Sequence, residues 1–185
     1  MQEESAEMAK QPVDRELTRL YELHYPEVLA YCVRRIGRND ADDAVAEVFA
    51  VAWRRRDEIE YETARPWLFG VARGVLANLR RSAHRRDRLV GRVAGLAPRP
   101  ADPPDLQVVR RSEDEEVITA LRRLKQRDQE VLMLTAWEEL TAPQIAVTLG
   151  ISVSAAEQRV HRAKRRLAKS LKPAAPGRSP GKEGS

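Results

Sequence analysis

Leu140-Thr-Ala-Pro-Gln-Ile-Ala-Val-Thr-Leu-Gly150-Ile-Ser-Val-Ser-Ala-Ala-Glu-Gln-Arg-Val-His-Arg-Ala-Lys-Arg-Arg-Leu167 decides the fold. The stretch predicts a short helix, a glycine turn and a longer basic helix. Thr141 is placed to cap the first helix, with Gln144 three residues on as in a capping box. Pro143 falls in the first turn, where a missing N–H costs little. Ile145, Ala146 and Leu149 make one apolar face, and Gly150 supplies the left-handed residue that ends the helix. Ser152 or Ser154 then caps the second helix, whose Ala156, Val160, Ala163 and Leu167 point inward. A helix-turn-helix of this kind sets the start of its second helix in the major groove and its basic flank on phosphates. DNA is the expected ligand.

Working outward, the same helical period fills most of the remaining chain. Leu17, Leu20, Tyr21, Val28, Leu29, Cys32, Val33 and Ile36 keep helical spacing from Asp14 on, and Pro26 is expected to kink or divide that helix. Gly37 with Asn39 or Asp40 marks a stop and a new N-cap. Ala41, Ala44, Val45, Val48, Phe49, Ala52 and Trp53 then form an unbroken apolar stripe. Asp42, Asp43 and Glu47 lie off it, near the positive end of the helix dipole. A polar loop from Asp57 to Arg65 leads to Pro66, after which Trp67, Leu68, Val71, Ala72, Val75 and Leu79 resume the helical period. Gly70 and Gly74 each weaken this helix by about 1 kcal/mol relative to alanine.

Pro98, Pro100, Pro103 and Pro104 interrupt the pattern and predict a linker. Two further helices, around Val117–Leu124 and Val131–Trp137, run into the opening motif. The reading is all-α, in two small helical domains. Its divisions are a disordered start (1–13), a first domain (14–93), a flexible proline-rich linker (94–112), a second domain (113–172) and a disordered tail (173–185).

Charge divides along the same lines. Residues 1–60 carry 9 Lys/Arg against 14 Asp/Glu, and residues 61–100 carry 9 against 2. Residues 101–130 carry 6 against 8, and residues 131–185 carry 9 against 4. Two basic blocks set apart by acidic ones fit two nucleic-acid contacts and a different partner surface. The single Cys32 excludes an internal disulfide and has no metal-spaced neighbour. His24, His84 and His161 are scattered, and no phosphate loop or nucleophile motif is present. No catalytic residue, metal or cofactor is expected. The polar N-terminus lacks a signal peptide, and no window approaches the roughly 20 apolar residues that span a bilayer. A cytoplasmic protein without membrane insertion is expected.

Three segments, in order, resemble a bacterial sigma factor of the extracytoplasmic-function (ECF) kind, from about Asp14 to Leu171. Asp40-Ala-Asp-Asp-Ala-Val-Ala-Glu-Val-Phe-Ala-Val-Ala-Trp53 is similar to that family's region 2.2, which docks on the polymerase clamp helices. Ala64-Arg-Pro-Trp-Leu-Phe-Gly-Val-Ala-Arg-Gly-Val-Leu-Ala-Asn-Leu-Arg-Arg81 resembles regions 2.3 and 2.4, which open and read the −10 element. Leu124 to Leu171 resembles region 4, which reads the −35 element. The chain departs from the family's habits at Ala46, where Gln is frequent, Val51 (Arg), Lys125 (Pro) and Glu139 (Gly). Its reading helix opens Ala155-Ala156-Glu157, without the frequent Thr and Lys.

The resemblance implies a transcription initiation factor that binds core RNA polymerase and promoter DNA and is restrained by an anti-sigma partner. It implies polymerase contacts at Asp42, Asp43 and Glu47. For the −10 strand the candidates are Tyr61, Arg65, Arg73, Asn78, Arg80 and Arg81, offering positive charge and a stacking ring. Trp67 is spaced as well for the core as for stacking. For the −35 duplex they are Ser154, Ala155, Glu157, Gln158 and Arg159 near base edges, with Arg162, Arg165 and Arg166 on phosphates. The alternative is a stand-alone helix-turn-helix regulator using the C-terminal motif alone.

Overall fold

The computed structural model describes the backbone of residues 2–94 and 112–171, and the side chains of residues 15–86 and 116–171. Every regular element among them is helical. They are α1 (Gln2–Ile36), α2 (Ala41–Arg54), two 3-10 turns (Arg56–Glu58 and Tyr61–Thr63), α3 (Ala64–Ala94), α4 (Ser112–Arg122), α5 (Gln126–Ala136), α6 (Ala142–Leu149) and α7 (Val153–Leu171). The expected linker, apart from its end residues Ala94 and Ser112, and the expected tail lie outside the described residues.

α1, α2 and α3 form the first bundle. Gly37 adopts a φ of 79° and lets the chain turn from α1 towards α2. Asp40 holds the N-cap position of α2 without a side-chain cap bond. The predicted α2 stripe is buried at Ala41, Ala44, Val45, Val48 and Ala52, against Val28 and Cys32 of α1 and Leu68, Ala72 and Leu76 of α3. Trp53, the stripe's last member, stays 49% exposed. The Tyr31 and Phe69 rings stack across α1 and α3 with centroids 5.1 Å apart.

α1 spans Gln2–Ile36 as one helix, so the division expected at Pro26 is corrected. Gln, Glu, Ala, Met and Lys dominate residues 2–10, and all are strong helix formers. Pro26 lies on the exposed side, where the carbonyl deprived of its partner faces solvent. Leu20 on one side of it and Val28 and Tyr31 on the other are all buried in the bundle, which anchors both halves of the helix.

α4 to α7 form the second bundle. Thr141 N–H donates to Gln144 Oε1 at 2.9 Å, one half of the expected capping box, and the Thr141 hydroxyl turns to the same oxygen at 3.1 Å. Gly150 ends α6 with a φ of 62° and a ψ of 44°. Of the two candidate caps for α7 it is Ser152 whose Oγ accepts from Ala155 N–H, at 3.2 Å. Ala156 and Ala163 are fully buried, and Val160 and Leu167 pack against the core. Lys125, extended at φ −64° and ψ 144°, separates α4 from α5.

The two bundles share one continuous core. α6 lies along α3, and the buried apolar residues of both bundles form a single cluster.

Candidate nucleic-acid and polymerase interfaces

α7 places the −35 candidates on its outer side. Ser154, Glu157 and Gln158 are exposed in its first turns, while Ala155 and Arg159 are half-buried. Arg162 and Arg165 are exposed one to two turns further on. Their spacing sets the polar groups at the helix start and the cations one to two turns behind, the distribution with which a major-groove helix can meet base edges first and phosphates after. Arg166 differs: its Nη1 bonds Asp128 Oδ2 at 2.6 Å, and Asp128 is almost fully buried at the start of α5. Arg166 is therefore already committed to holding α5 against α7.

The −10 candidates divide in a similar way. Tyr61, on the second 3-10 turn, is 52% exposed beside a hollow floored by Leu17, Leu20 and Ile59 and edged by Arg56 and Asp57. Partial burial and the Glu16 carboxylate push its hydroxyl pKa upward. An aromatic ring over an apolar floor is a surface on which an unstacked base can lie. Asn78 and Arg81 are exposed and bonded to each other along α3. The remaining three are engaged within the molecule. Arg65 Nε bonds Glu27 Oε1 at 2.9 Å, and its Nη2 bonds the Glu138 carbonyl at 2.9 Å. Arg73 Nε bonds Glu130 Oε1 at 2.7 Å. Arg80 is half-buried and reaches towards the Arg35 carbonyl at 3.5 Å, with burial lowering its pKa. Trp67 is half-buried in the core's margin, with the Arg55 guanidinium 5.4 Å from its ring centroid.

Asp42 and Asp43 stand exposed in the first turn of α2. Glu47, one turn on, pairs with Arg54 at 2.9 Å in the open, where such a pair contributes little and yields readily to another cation. Among the described residues no cluster of His, Cys, Asp and Glu is arranged to hold a metal ion. No helix among them is long and apolar enough to cross a membrane.

Sequence reasoning missed a buried ion cluster between the bundles. Glu138, in the turn after α5, is 2% exposed and meets Arg34 and Arg35 at the end of α1. Arg35 Nη1 bonds Glu138 Oε1 at 2.8 Å and the Tyr31 carbonyl at 3.2 Å, and its guanidinium carbon lies 3.4 Å from the Tyr31 ring centroid. Beside this cluster, Thr148 Oγ1 donates to the Pro66 carbonyl at 2.9 Å. Gly70 lies so close that a Cβ there would stand 3.1 Å from the Thr148 carbonyl oxygen. Only the spacing of Gly70 in an otherwise good helix hinted at this approach.

Residues 20–86 match the family model described as Sigma-70 region 2, and residues 114–167 match that of Sigma-70, region 4. The ECF RNA polymerase sigma factor SigL of Mycobacterium tuberculosis is 31% identical over 153 residues, covering 80% of this chain and 84% of SigL. The chain belongs to the RNA polymerase sigma-factor family, in its extracytoplasmic-function branch. A second sigma factor, CnrH of Cupriavidus metallidurans, is 32% identical over 149 residues, covering 75% of this chain and 78% of CnrH. The solved structure of CnrH in complex with the cytosolic domain of CnrY aligns with a TM-score of 0.55 at 27% identity, over 85% of this chain and 88% of that one. The sigma factor RpoE from Bartonella quintana, solved with the anti-sigma factor NepR, shares the fold with a TM-score of 0.58 at 22% identity, over 85% of this chain and 97% of that one. In sigma-factor terms α1 to α3 are region 2, and α4 to α7 are region 4. A stand-alone regulator accounts for the second match and leaves the first without a purpose.

Proposed function

We propose that this sigma factor binds core RNA polymerase and directs it to promoters bearing paired −10 and −35 elements. The presence of regions 2 and 4 in one chain carries that reading. Asp42, Asp43 and Glu47 are the proposed polymerase contacts, supported by their exposure at the positive end of α2 and by the unpaired aspartates' freedom to meet basic residues. Tyr61, Asn78 and Arg81 meet the −10 strand, joined by Arg65, Arg73 and Arg80. Ser154, Ala155, Glu157, Gln158, Arg159, Arg162 and Arg165 meet the −35 duplex, with Arg166 bracing the helix that carries them. Region 2 spans residues 14–93 and region 4 spans residues 113–172 in this reading. The factor makes no covalent bond itself and works in the cytoplasm, where polymerase is. An anti-sigma protein restrains it, supported by the complex of the similarly folded RpoE with the anti-sigma factor NepR and by that of CnrH with the cytosolic domain of CnrY.

Transcription of fragmented genomic DNA by purified core polymerase, with and without the protein, tests the function. New RNA 5′ ends sharing two short elements at a fixed spacing are expected. No new starts with active core enzyme and folded protein would sink the proposal. Asp43→Lys combined with Glu47→Lys should weaken core binding by about tenfold or more, and unchanged affinity removes the docking assignment.

A further inference from the structure

We propose that the second half of α3 is a duplex-binding rod, on which Arg81, Arg85, Arg88 and Arg92 form a stripe for the phosphates of the DNA between the −10 and −35 elements. The inference rests on the assignment of α3 to the −10 strand and α7 to the −35 duplex.

α3 outruns the bundle it belongs to. Leu76 is its last fully buried residue among those described, and none from 77 to 86 is buried. The helix nevertheless continues to Ala94, about 27 Å further at about 1.5 Å per residue. The match to Sigma-70 region 2 stops at residue 86, so the last turns of α3 lie beyond what that family model covers. Composition points to their use. Residues 77–94 hold six arginines against one acid, Asp87.

The helical period orders these charges. At about 100° per residue, positions 81, 85, 88 and 92 share an arc of about 60°, and Asp87 falls outside it. The row is about 16 Å long, the length of about five base pairs of duplex at about 3.4 Å each. Arg81 bonds Asn78 Oδ1, and Arg85 Nη2 donates to Ser82 Oγ at 2.7 Å. Both acceptors are neutral, so these guanidiniums are steadied along the helix with their charge uncompensated. Arg65 and Arg73, earlier on the same helix, face the carboxylates of Glu27 and Glu130 instead. Like charges four residues apart, as at 81 and 85 or 88 and 92, destabilise a helix. A polyanion laid along the row removes that repulsion.

Chain order selects duplex DNA as the polyanion. The stripe begins at Arg81, the last of the −10 residues, and the chain then leads on to the helices that read −35. It lies between the two readers in the protein as the spacer duplex lies between the two elements in the DNA. Phosphate contacts of this kind fix orientation without reading sequence.

The test titrates the full chain with a fluorescein-labelled duplex of about 20 base pairs and mixed sequence, and with single DNA and RNA strands of the same sequence, over a series of salt concentrations. Arg85→Gln with Arg88→Gln and Arg92→Gln removes three charges while keeping helix propensity. Duplex binding should weaken about tenfold or more at low salt, and its log–log salt dependence should become shallower by about 2–3. The corresponding triple lysine variant should restore both, because lysine meets phosphate as a point charge. Circular dichroism checks folding. If the triple glutamine variant fails to fold, Arg85→Gln alone decides, with a slope shallower by about one. An unchanged duplex slope in a folded variant overturns the stripe, as does a loss that lysine does not restore. A larger loss on the DNA or RNA strand than on the duplex overturns the choice of ligand.

Placement is read in the polymerase complex on a promoter found by start-site mapping. A DNA-cutting iron chelate is attached at Arg86→Cys, exposed beside the stripe, and the buried Cys32 does not compete for it. Cuts between the two elements are expected. Absent cuts, or cuts confined to the −10 element, overturn the placement. Blank start-site mapping would sink the proposed function, whereas the salt slopes, which need no polymerase, still decide the duplex contact.

Discussion

Arg35 and Glu138 lie 103 residues apart in the chain and 2.8 Å apart in space, each with its side chain almost wholly buried. That pair, with the Arg34–Glu138 pair beside it, ties the end of the first helix to the turn before the helix-turn-helix. Removing a buried partner costs about 3–5 kcal/mol when the other charge must stay buried. Here Arg35 can escape that penalty only if the domains separate. Glu138→Ala should therefore split a single calorimetric unfolding transition into two, one for each domain. A single transition, merely shifted, would show that the domains unfold together regardless of the pair.

Glu139 occupies the left-handed region at a φ of 52°, at the position where the family frequently has glycine. A side chain there carries a backbone penalty that glycine lacks, partly offset by glycine's greater unfolded-state freedom. Glu139→Gly should raise stability by about 0.5–1 kcal/mol in urea titration. A loss of stability would mean the Glu139 side chain makes a compensating contact.

The two glycines of α3 should respond differently to alanine. A Cβ at Gly74 meets nothing within 4 Å, so Gly74→Ala should gain about 1 kcal/mol from helix propensity. A Cβ at Gly70 stands 3.1 Å from the Thr148 carbonyl oxygen, so Gly70→Ala should gain less or lose. Paired denaturant melts decide the order, and equal gains would show that α6 yields freely.

Arg162 and Arg166 sit one turn apart on α7 with different expected roles. Arg166→Ala breaks the 2.6 Å bond to Asp128 and should cost about 1 kcal/mol, a modest figure because the arginine is half in solvent. Arg162→Ala should leave stability unchanged while weakening −35 duplex binding and reducing its salt dependence by about one counterion. Reversed effects would exchange the two assignments.

Burial pushes the Cys32 thiol from 9.0 up to about 12, and the Tyr31 hydroxyl from 10.0 up to about 12. Both groups stay protonated in the fold at pH values where the unfolded chain has released their protons. Their contribution to stability is fully present below pH 9.0 and is lost as the pH climbs towards 12. Stability should fall steeply between those limits, and at neutral pH Cys32 should react with a disulfide reagent only after unfolding. Rapid reaction in the native protein would contradict the burial.

Most of the secondary structure was legible because its causes are local. The α2 stripe repeats at the helical period, Gly150 takes the left-handed conformation, and Thr141 engages the Gln144 three residues on. Pro26 does not divide α1 as its local cost suggested, because packing at Leu20, Val28 and Tyr31 anchors the helix on both sides of it. The exposed face of α7 was equally readable, since residues off an amphipathic stripe face water.

The sequence by itself thus determined the helices, their order, the helix-turn-helix and the two-region plan of a sigma factor. The tertiary structure alone decided which charged residues remain available. Arg81, Arg162 and Arg165 keep their charge at the surface, while Arg65, Arg73, Arg80 and Arg166 are drawn into contacts spanning 38 to 73 residues. Nothing in the spacing of Arg34, Arg35 and Glu138 distinguishes them from solvated neighbours. An ion pair between distant segments has no period, and only the approach of α6 to α3 brings those charges out of water and together.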